Sequence, residues 1–446
     1  MRILVKDMAA AAGKQPDAEL EAAGWVHRIR DMGGIRFVIL RDRSGLGQLV
    51  LAEDSGAPAF TLESVIRVRG LPALNEKAPG GAELRVASLE VLSRAAPDLP
   101  YQVNGDISKI GLEAILDNRP LSLRNPKIRS VFKVQDTIVE SFAAYLRNRD
   151  FTEIKTSKLT AGSTEGGTNL FQVDYFDRKL YLAQSPQLYK EAMVASGLER
   201  VFEIGPVYRA EKHDTPRHLN EYVSLDLEIG FIESELELIE LERELLAHIF
   251  GEVARKNGPD LAAWGASVPG PEDLARAPTL SYEEALKLAN EEAARDKKAS
   301  ASSRIFDINP EAERLLCEWS RREHGVDLVF VNAFPRRHRP FYTYPLAESG
   351  KSGAGTLTMS FDAIFRGLEI SSGSRRQHDY DAVVEALPKF GLKPENMAGY
   401  LQILKYGCPP HGGFALGCER LTQKILGLGN VKEASLFPRD RRRVEP

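Results

Sequence analysis

Between Val201 and Gly230 the chain reads VFEIGPVYRAEKHDTPRHLNEYVSLDLEIG, two alternating runs around a charged turn. A period of two suits strands and not helices. The first run, VFEIGPVY, is apolar enough for a buried strand. The second, EYVSLDLEIGF, puts Val223, Leu225, Leu227 and Ile229 on one face and Tyr222, Ser224, Asp226 and Glu228 on the other. Arg209, Glu211, His213, Arg217 and His218 lie between them. The spacing predicts a hairpin with a polar floor. Such a floor suits a polyanion such as a nucleoside triphosphate, because guanidinium forks match phosphate oxygens. A solvated surface hairpin with scattered charges is the plainer alternative.

At 446 residues the chain exceeds one ordinary core, so two or three domains are expected. It has no apolar run long enough to span a membrane, and its first residues, MRILVKDMAAAAGKQPD, lack the apolar stretch and cleavage site of a targeting signal. The three cysteines, Cys317, Cys408 and Cys418, show no CxxC spacing and fit a reducing, cytoplasmic setting. The eight histidines show no metal-ligand spacing. With a net charge of −4, a nucleic-acid partner would need a local basic surface.

Residues 1–97 carry short strand patterns: GWVHRIR, IRFVILRDRSG, LGQLVLAE, SVIRVRGLP and AELRVASLEVLSR. They predict a small closed barrel of the OB type, which commonly binds single-stranded nucleic acid by stacking. Phe37 and Gln48 fall on consecutive strands, where one could stack a base and the other read its edge; a place in the barrel core is the alternative for Phe37. Residues 98–127 read as a linker or hinge, rich in Pro and Asn with one short helical patch. Val131, Val134, Ile138, Phe142 and Leu146 then mark an amphipathic helix. Further on, LYLAQSPQLYKEAMVASGL turns helical after Pro186, with Gln187 and Lys190 on one face. ESELELIELERELLAHIFGEVARK is a strongly patterned helix, and 258–327 reads as a peripheral helical region of undisclosed role. Strand signals return in DLVFVNAF, PFYTYP and FDAIFRGLEISSGSRR, and the chain closes on HGGFALGCERL and a basic tail.

Three features need one explanation: the Arg-rich hairpin, the carboxylates Asp362 and Glu369 near a serine and arginines, and Arg420 where a Gly-rich strand turns into a helix. Arginines with paired carboxylates for a divalent cation are the parts of phosphoryl or nucleotidyl transfer. Neither GxxxxGK[ST] nor a kinase signature is present. The combination resembles the class II aminoacyl-tRNA synthetases, and within them the archaeal-type aspartyl-tRNA synthetases. The resemblance runs from about Gly24 to the C-terminus and weakens between 258 and 327. It rests on GWVHRIRDMGGIRF, TEGGTNLF, YLAQSPQLYK, FEIGPVYRAEKHDTPRHLNEY, FRGLEISSG, HGGFALGCERL and LFPRDRRR, in that order.

The resemblance implies an α+β architecture: an N-terminal OB-fold barrel that binds the anticodon, and a catalytic domain over 128–446 built on an antiparallel sheet flanked by helices. It implies ATP and Mg²⁺, L-aspartate and tRNA(Asp) as partners, and a homodimer. By the same resemblance Arg209, Glu369 and Arg420 carry the chemistry. Glu211, Arg217, His218, Leu219 and Tyr222, with Gly417, Cys418 and Glu419, join them around ATP. Asp362, Glu369 and Ser372 would hold the metal. Glu165, Gln187, Lys190, Arg209, Ser372 and Arg376 would surround aspartate, with Glu165 at its ammonium. In the barrel, His27, Arg30, Phe37 and Gln48 match anticodon-binding positions. In this family a Trp near the place of His27 tends to accompany strict tRNA(Asp) specificity, and a His accompanies enzymes that also charge tRNA(Asn); an amidotransferase would then convert the second product. Ser157 stands where the family usually has a proline near its dimer interface, and Arg375 where relatives have Gln. Pro216 stiffens the signature loop, and Ala347–Thr358 is longer and richer in Gly than usual. The alternatives are an asparaginyl-tRNA synthetase, a synthetase-like asparagine synthetase, which characteristically lacks the barrel, and a non-catalytic RNA-binding protein. Lys190 and PFYTYP favour aspartate over asparagine.

Overall fold

The computed structural model describes residues 2–52, 56–162, 170–212, 214–295, 304–346 and 356–445. The chain divides into two compact units, Met1–Arg129 and Ser130–Pro446.

The first unit is a closed five-stranded barrel of β1 (Leu20–Met32), β2 (Ile35–Asp42), β3 (Gly45–Ala52), β4 (Val65–Leu74) and β5 (Ala82–Ser93), in the order β1-β2-β3-β5-β4. All neighbours are antiparallel except β3 and β5, as expected of an OB-fold. Alternation decides what goes inside: Ala22, Val26, Val38, Leu40, Leu49, Leu51, Ile66, Val68 and Leu84 fill the barrel. Phe37 is outside this core and half-exposed, which removes the core alternative for it. Gly24 is required by close packing, since a Cβ there would sit 2.3 Å from the Arg41 carbonyl oxygen. A short helix, Met8–Lys14, packs Met8 against the barrel core; nothing in the sequence analysis anticipated it. The segment 98–127, expected as a linker or hinge with one short helical patch, falls within the first compact unit. Helices Leu112–Asp117 and Arg119–Ser122 form there, Asn104 Nδ2 donates to the His27 carbonyl at 2.7 Å, and Arg124 pairs with Glu63 at 3.2 Å.

The second unit is built on an eight-stranded sheet and a small three-stranded one. The small sheet orders as β7-β9-β8 from β7 (Leu159–Thr160), β8 (Gln172–Tyr175) and β9 (Arg178–Leu182). The large sheet contains β6 (Thr152–Glu153), β10 (Arg200–Tyr208), β11 (Glu221–Gly230), β12 (Thr279–Ser281), β13 (Leu328–Asn332), β14 (Ser360–Phe365), β15 (Leu368–Arg375) and β16 (His411–Gly417). Its order is β12-β13-β14-β15-β16-β11-β10-β6, antiparallel except for the parallel edge pairs β12–β13 and β6–β10. The expected α+β architecture is therefore present in both parts.

Helix Glu235–Lys256 starts on a Ser234/Glu237 capping box. Its Leu238, Leu245, Ile249 and Phe250 join Val134, Ile138 and Phe142 of helix Pro126–Arg147 in one core with Phe202, Leu225, Leu227, Phe361 and Phe414 of the sheet. Leu225 and Leu227 point into that core, so alternation turns Ser224, Asp226 and Glu228 to the other face. All three are buried, which excludes the solvated-hairpin alternative.

Candidate functional site

An open cleft of about 690 Å³ lies against β11, β15 and β16 and the loop that follows β10. Its wall holds Arg209, Glu211, Arg217, His218, Leu219 and Tyr222 of the central hairpin, Glu369 and Ser372 of β15, and Gly417, Glu419 and Arg420 at the end of β16. Register explains the convergence. Gly417 pairs with Ser224 and Leu416 with Ser371, so β16 delivers Arg420 between the hairpin and the carboxylate strand. Arg420 Nη1 donates to the Glu369 carbonyl at 3.0 Å and lies 3.5 Å from Glu369 Oε1.

The hairpin loop is shaped by its own polar atoms. Arg209 N donates to Asn220 O, and Asn220 Nδ2 returns to the carbonyls of Arg209 and Glu211 at 2.7 and 3.0 Å. Thr215 Oγ1 and His218 Nδ1 meet at 2.6 Å. The C-terminal segment holds the loop from outside: Val431 N donates to Pro216 O, and Lys432 pairs with Asp214 at 2.8 Å. Arg209 lies over the Tyr222 ring, 5.7 Å from its centroid. His213 lies outside the described residues, as does Glu165.

Cys418 is the exception among the residues grouped around the cleft by sequence. It is fully buried in the helix-side core, because the helix beginning there turns its side chain inward, and it is not part of the cleft wall. Glu419 next to it is buried and accepts Val223 N with both oxygens at 3.1 Å. Burial pushes its carboxyl up to about 7 against those hydrogen bonds.

Asp362 pairs opposite Ser372 across β14 and β15, beside the cleft. Glu369 is partly open to solvent, its side chain 41% exposed. Desolvation and the nearby Asp362 carboxylate raise its pKa, with Arg420 opposing. Asp362, Glu369 and Ser372 offer oxygen donors only, and the buried Asp362 Oδ1 has no hydrogen-bond partner among the described residues. That chemistry fits a hard divalent cation. Among the described residues no cluster of three or more His, Cys, Asp or Glu side chains forms a metal cage by itself.

Three residues at this site escaped the sequence analysis. Arg339 bridges Asp362 Oδ2 at 2.8 Å and Ser372 Oγ at 3.0 Å. Glu313, from helix Pro310–His324, pairs with Arg217 and accepts Glu369 N at 3.3 Å, so the 258–327 region reaches the cleft. Glu242 accepts Ser371 Oγ at 2.5 Å from beneath the sheet. None belongs to a local pattern: each reaches the site from an element distant in sequence.

Farther along the same polar face, Lys190 Nζ lies 3.1 Å from Asp226 Oδ1 and 3.3 Å from Glu228 Oε2. Arg376 Nε lies 2.8 Å from Glu228 Oε1, and its Nη2 donates to Gln187 Oε1 at 3.4 Å. All five are buried. Burial works against the Arg376 guanidinium, but Glu228 outweighs it and keeps its pKa above the ordinary value. Sequence patterning had placed Asp226 and Glu228 on the polar face without a role; their role is to fix two buried cations. Gly413 makes the arrangement possible. A Cβ there would fall 2.1 Å from Leu227 O and 2.4 Å from Glu228 Oε2.

In the barrel, Arg30 pairs opposite Phe37, and Phe37 and Gln48 sit on adjacent strands with side chains on the outer face. Gln48 Nε2 donates to Glu83 Oε2 at 3.0 Å. His27 occupies a bulge in β1, and its Nδ1 meets Arg41 Nη1 at 2.8 Å.

A family model for class II tRNA synthetases (D, K and N) matches residues 111–441, and one for an OB-fold nucleic acid binding domain matches 21–92. The chain belongs to the class II tRNA synthetases of that D, K and N group. It is 46% identical to the aspartate–tRNA(Asp/Asn) ligase of Thermus thermophilus, with 100% of both chains covered. It is 44% identical to that of Deinococcus radiodurans, over 95% of this chain and 94% of the other. The asparaginyl-tRNA synthetase of Pyrococcus horikoshii, solved with asparaginyl-adenylate, superposes with a TM-score of 0.84 at 30% identity, over 96% of each chain. It is an enzyme family, and the barrel and sheet found here are its two parts.

Proposed function

We propose that the chain is an aspartate–tRNA ligase. It activates L-aspartate with ATP to aspartyl-adenylate and pyrophosphate, then transfers the aspartyl group to the 3′ end of tRNA(Asp) and tRNA(Asn). The carrying observation is the pair of buried cations, Lys190 and Arg376, on the same polar sheet face as the arginine-lined cleft. The cleft receives ATP: Arg209 at the α-phosphate, Arg420 at the terminal phosphate, Tyr222 against adenine, and Glu211, Arg217, His218, Leu219, Gly417 and Glu419 around the rest. The aspartate carboxylate attacks the α-phosphorus in line while Arg209 stabilises the charge that grows there. Asp362, Glu369 and Ser372 would hold Mg²⁺, which when bound supplies charge neutralisation at the phosphates. Positioning and charge account for the step without a nucleophilic side chain. Glu165 at the substrate ammonium completes the proposed set.

Asparagine is the rival, and the likeness to an asparaginyl enzyme shows that the fold alone does not separate them. Chemistry does. Facing two cations, a carboxylate gains about 1.5–3 kcal/mol per charged hydrogen bond. A carboxamide would turn N–H donors toward them. A homodimer working in the cytoplasm, with an amidotransferase consuming Asp-tRNA(Asn), belongs to the same proposal.

The test is ATP–pyrophosphate exchange without tRNA, using aspartate and asparagine side by side. Aspartate should drive exchange and asparagine should not. Lys190→Leu should raise the aspartate KM at least tenfold, about the worth of one charged hydrogen bond. Exchange driven equally by asparagine would reject the assignment.

A further inference from the structure

Behind the Lys190–Arg376 cluster lies a second buried group that the reaction does not use directly. Glu191 is fully buried on the helix Gln187–Met193, four residues beyond Gln187. Its Oε1 accepts Gln187 Nε2 at 2.8 Å. Its Oε2 accepts Tyr400 Oη at 2.7 Å and lies 3.2 Å from His411 Nε2. His411, also fully buried, opens β16 and places Nδ1 2.9 Å from Pro409 O and 3.5 Å from Cys408 Sγ. A carbonyl only accepts, so Nδ1 carries a proton; an ionised carboxylate only accepts, so Nε2 carries one too. His411 is therefore an imidazolium paired with Glu191. Burial opposes that charge, but the contacts with Cys408 and Glu191 bring the pKa up to about 10. Its backbone carbonyl also accepts Arg376 N at 2.8 Å, so the same residue pins the start of the arginine.

We propose that the buried Glu191–His411 pair is a positioning device for Gln187, fixing which end of its carboxamide faces Arg376 and so biasing the amino-acid pocket toward a carboxylate side chain. The inference rests on the assignment of Gln187, Lys190 and Arg376 to the substrate side chain. A Gln amide has one accepting and one donating end. Glu191 accepts and cannot donate, so the NH₂ end must turn to it. The oxygen end is thereby committed to Arg376 Nη2. Flipped, the amide would set oxygen against the Glu191 carboxylate and N–H against the guanidinium. With its oxygen turned to Arg376 and one N–H to Glu191, Gln187 keeps its second N–H for a ligand. Beside the paired cations Lys190 and Arg376, the Gln187 N–H is thus a donor turned to the ligand, a complement to a carboxylate oxygen and a mismatch to a carboxamide NH₂.

Glu191→Gln tests this directly, because a Gln there can donate to the Gln187 oxygen and free the amide to turn. The expected result in ATP–pyrophosphate exchange is a rise of about tenfold in aspartate KM and a higher asparagine-to-aspartate ratio, with the ATP KM within about twofold. Tyr400→Phe, which removes one hydrogen bond to Glu191 and little volume, should shift aspartate KM the same way by a smaller factor. It also keeps the test alive should Glu191→Gln not fold. An unchanged aspartate KM and ratio in folded variants would overturn the proposal, as would equal shifts in both KM values. Lys190→Leu separates the two levels. If it leaves aspartate KM unchanged, the pocket assignment fails. If it raises KM while the Glu191 and Tyr400 variants do nothing, only the positioning role fails.

Discussion

Glu242 sits beneath the sheet and accepts Ser371 Oγ, and its buried Oε2 has no hydrogen-bond partner among the described residues. Burial pushes its pKa up to about 8, with Asp362 adding to the rise. The folded protein therefore keeps a proton that the unfolded chain releases near the ordinary carboxyl value. Stability must fall as pH climbs from the unfolded pKa toward about 8, where the folded carboxyl gives up its proton. Glu242→Gln keeps the shape and removes the titration, so urea unfolding should show the variant losing less stability than the wild type between about pH 6 and pH 9, by a few kcal/mol at most. Identical pH dependence would show that Glu242 is not held protonated. Single residues are also where sequence and structure part company. Arg209, Arg217 and Arg420 stood in recognisable runs, so their convergence could be foreseen. Arg339, Glu313 and Glu242 were invisible, because an Arg in PRRHRP or a Glu on a helix says nothing until the chain brings it to Asp362, Arg217 or Ser371.

At the scale of elements, β16 is the piece most tightly constrained. It pairs β15 on one side and β11 on the other, and it carries the glycines of HGGFALG. Gly413→Ala would drive a methyl into Leu227 O and the Glu228 carboxylate. Backbone cannot yield as a flexible side chain does, so the strand or Glu228 must move. The expected outcome is a destabilisation of about 1–3 kcal/mol by thermal or urea unfolding. Loss of the Glu228–Arg376 contact should add a rise in aspartate KM exceeding any change for ATP. A variant as stable and active as the wild type would mean that β11 and β16 can part far enough to admit the methyl group. The alternating runs that became β1 to β5, β10 and β11 were legible because a period of two survives in sequence when one face is buried. In 98–127 only the short helical patch was, since the rest of its order comes from side-chain bonds such as Asn125 Nδ2 to Val103 O and Asn104 to His27 O, which leave no periodicity.

At the scale of the whole molecule, charging a tRNA requires recognition on the barrel and chemistry on the sheet, and His27 is where choice between two tRNAs can be tested. Its Nδ1 faces Arg41, a side chain with donors only, so Nδ1 is the bare nitrogen and Nε2 carries the hydrogen. Burial, then Arg41, lowers its pKa, which keeps the ring neutral. Arg41 is itself buried and held by both oxygens of Glu63, at 3.0 and 2.5 Å, so the imidazole is fixed by a rigid partner. A Trp at this position has no acceptor for Arg41 and a larger ring, and would have to leave this seat. With His27→Trp, kcat/KM for charging a tRNA(Asn) transcript should drop about tenfold or more, the worth of one lost base contact of roughly 1–3 kcal/mol. Charging of tRNA(Asp) should stay within about twofold, and ATP–pyrophosphate exchange without tRNA should not change, because the substitution lies in the barrel unit and not in the unit that holds the proposed ATP cleft. Equal losses on both tRNAs would make His27 a general support of the barrel surface, and a wild-type protein that charges tRNA(Asp) alone would remove the relaxed specificity from the proposed function while leaving aspartate activation in place.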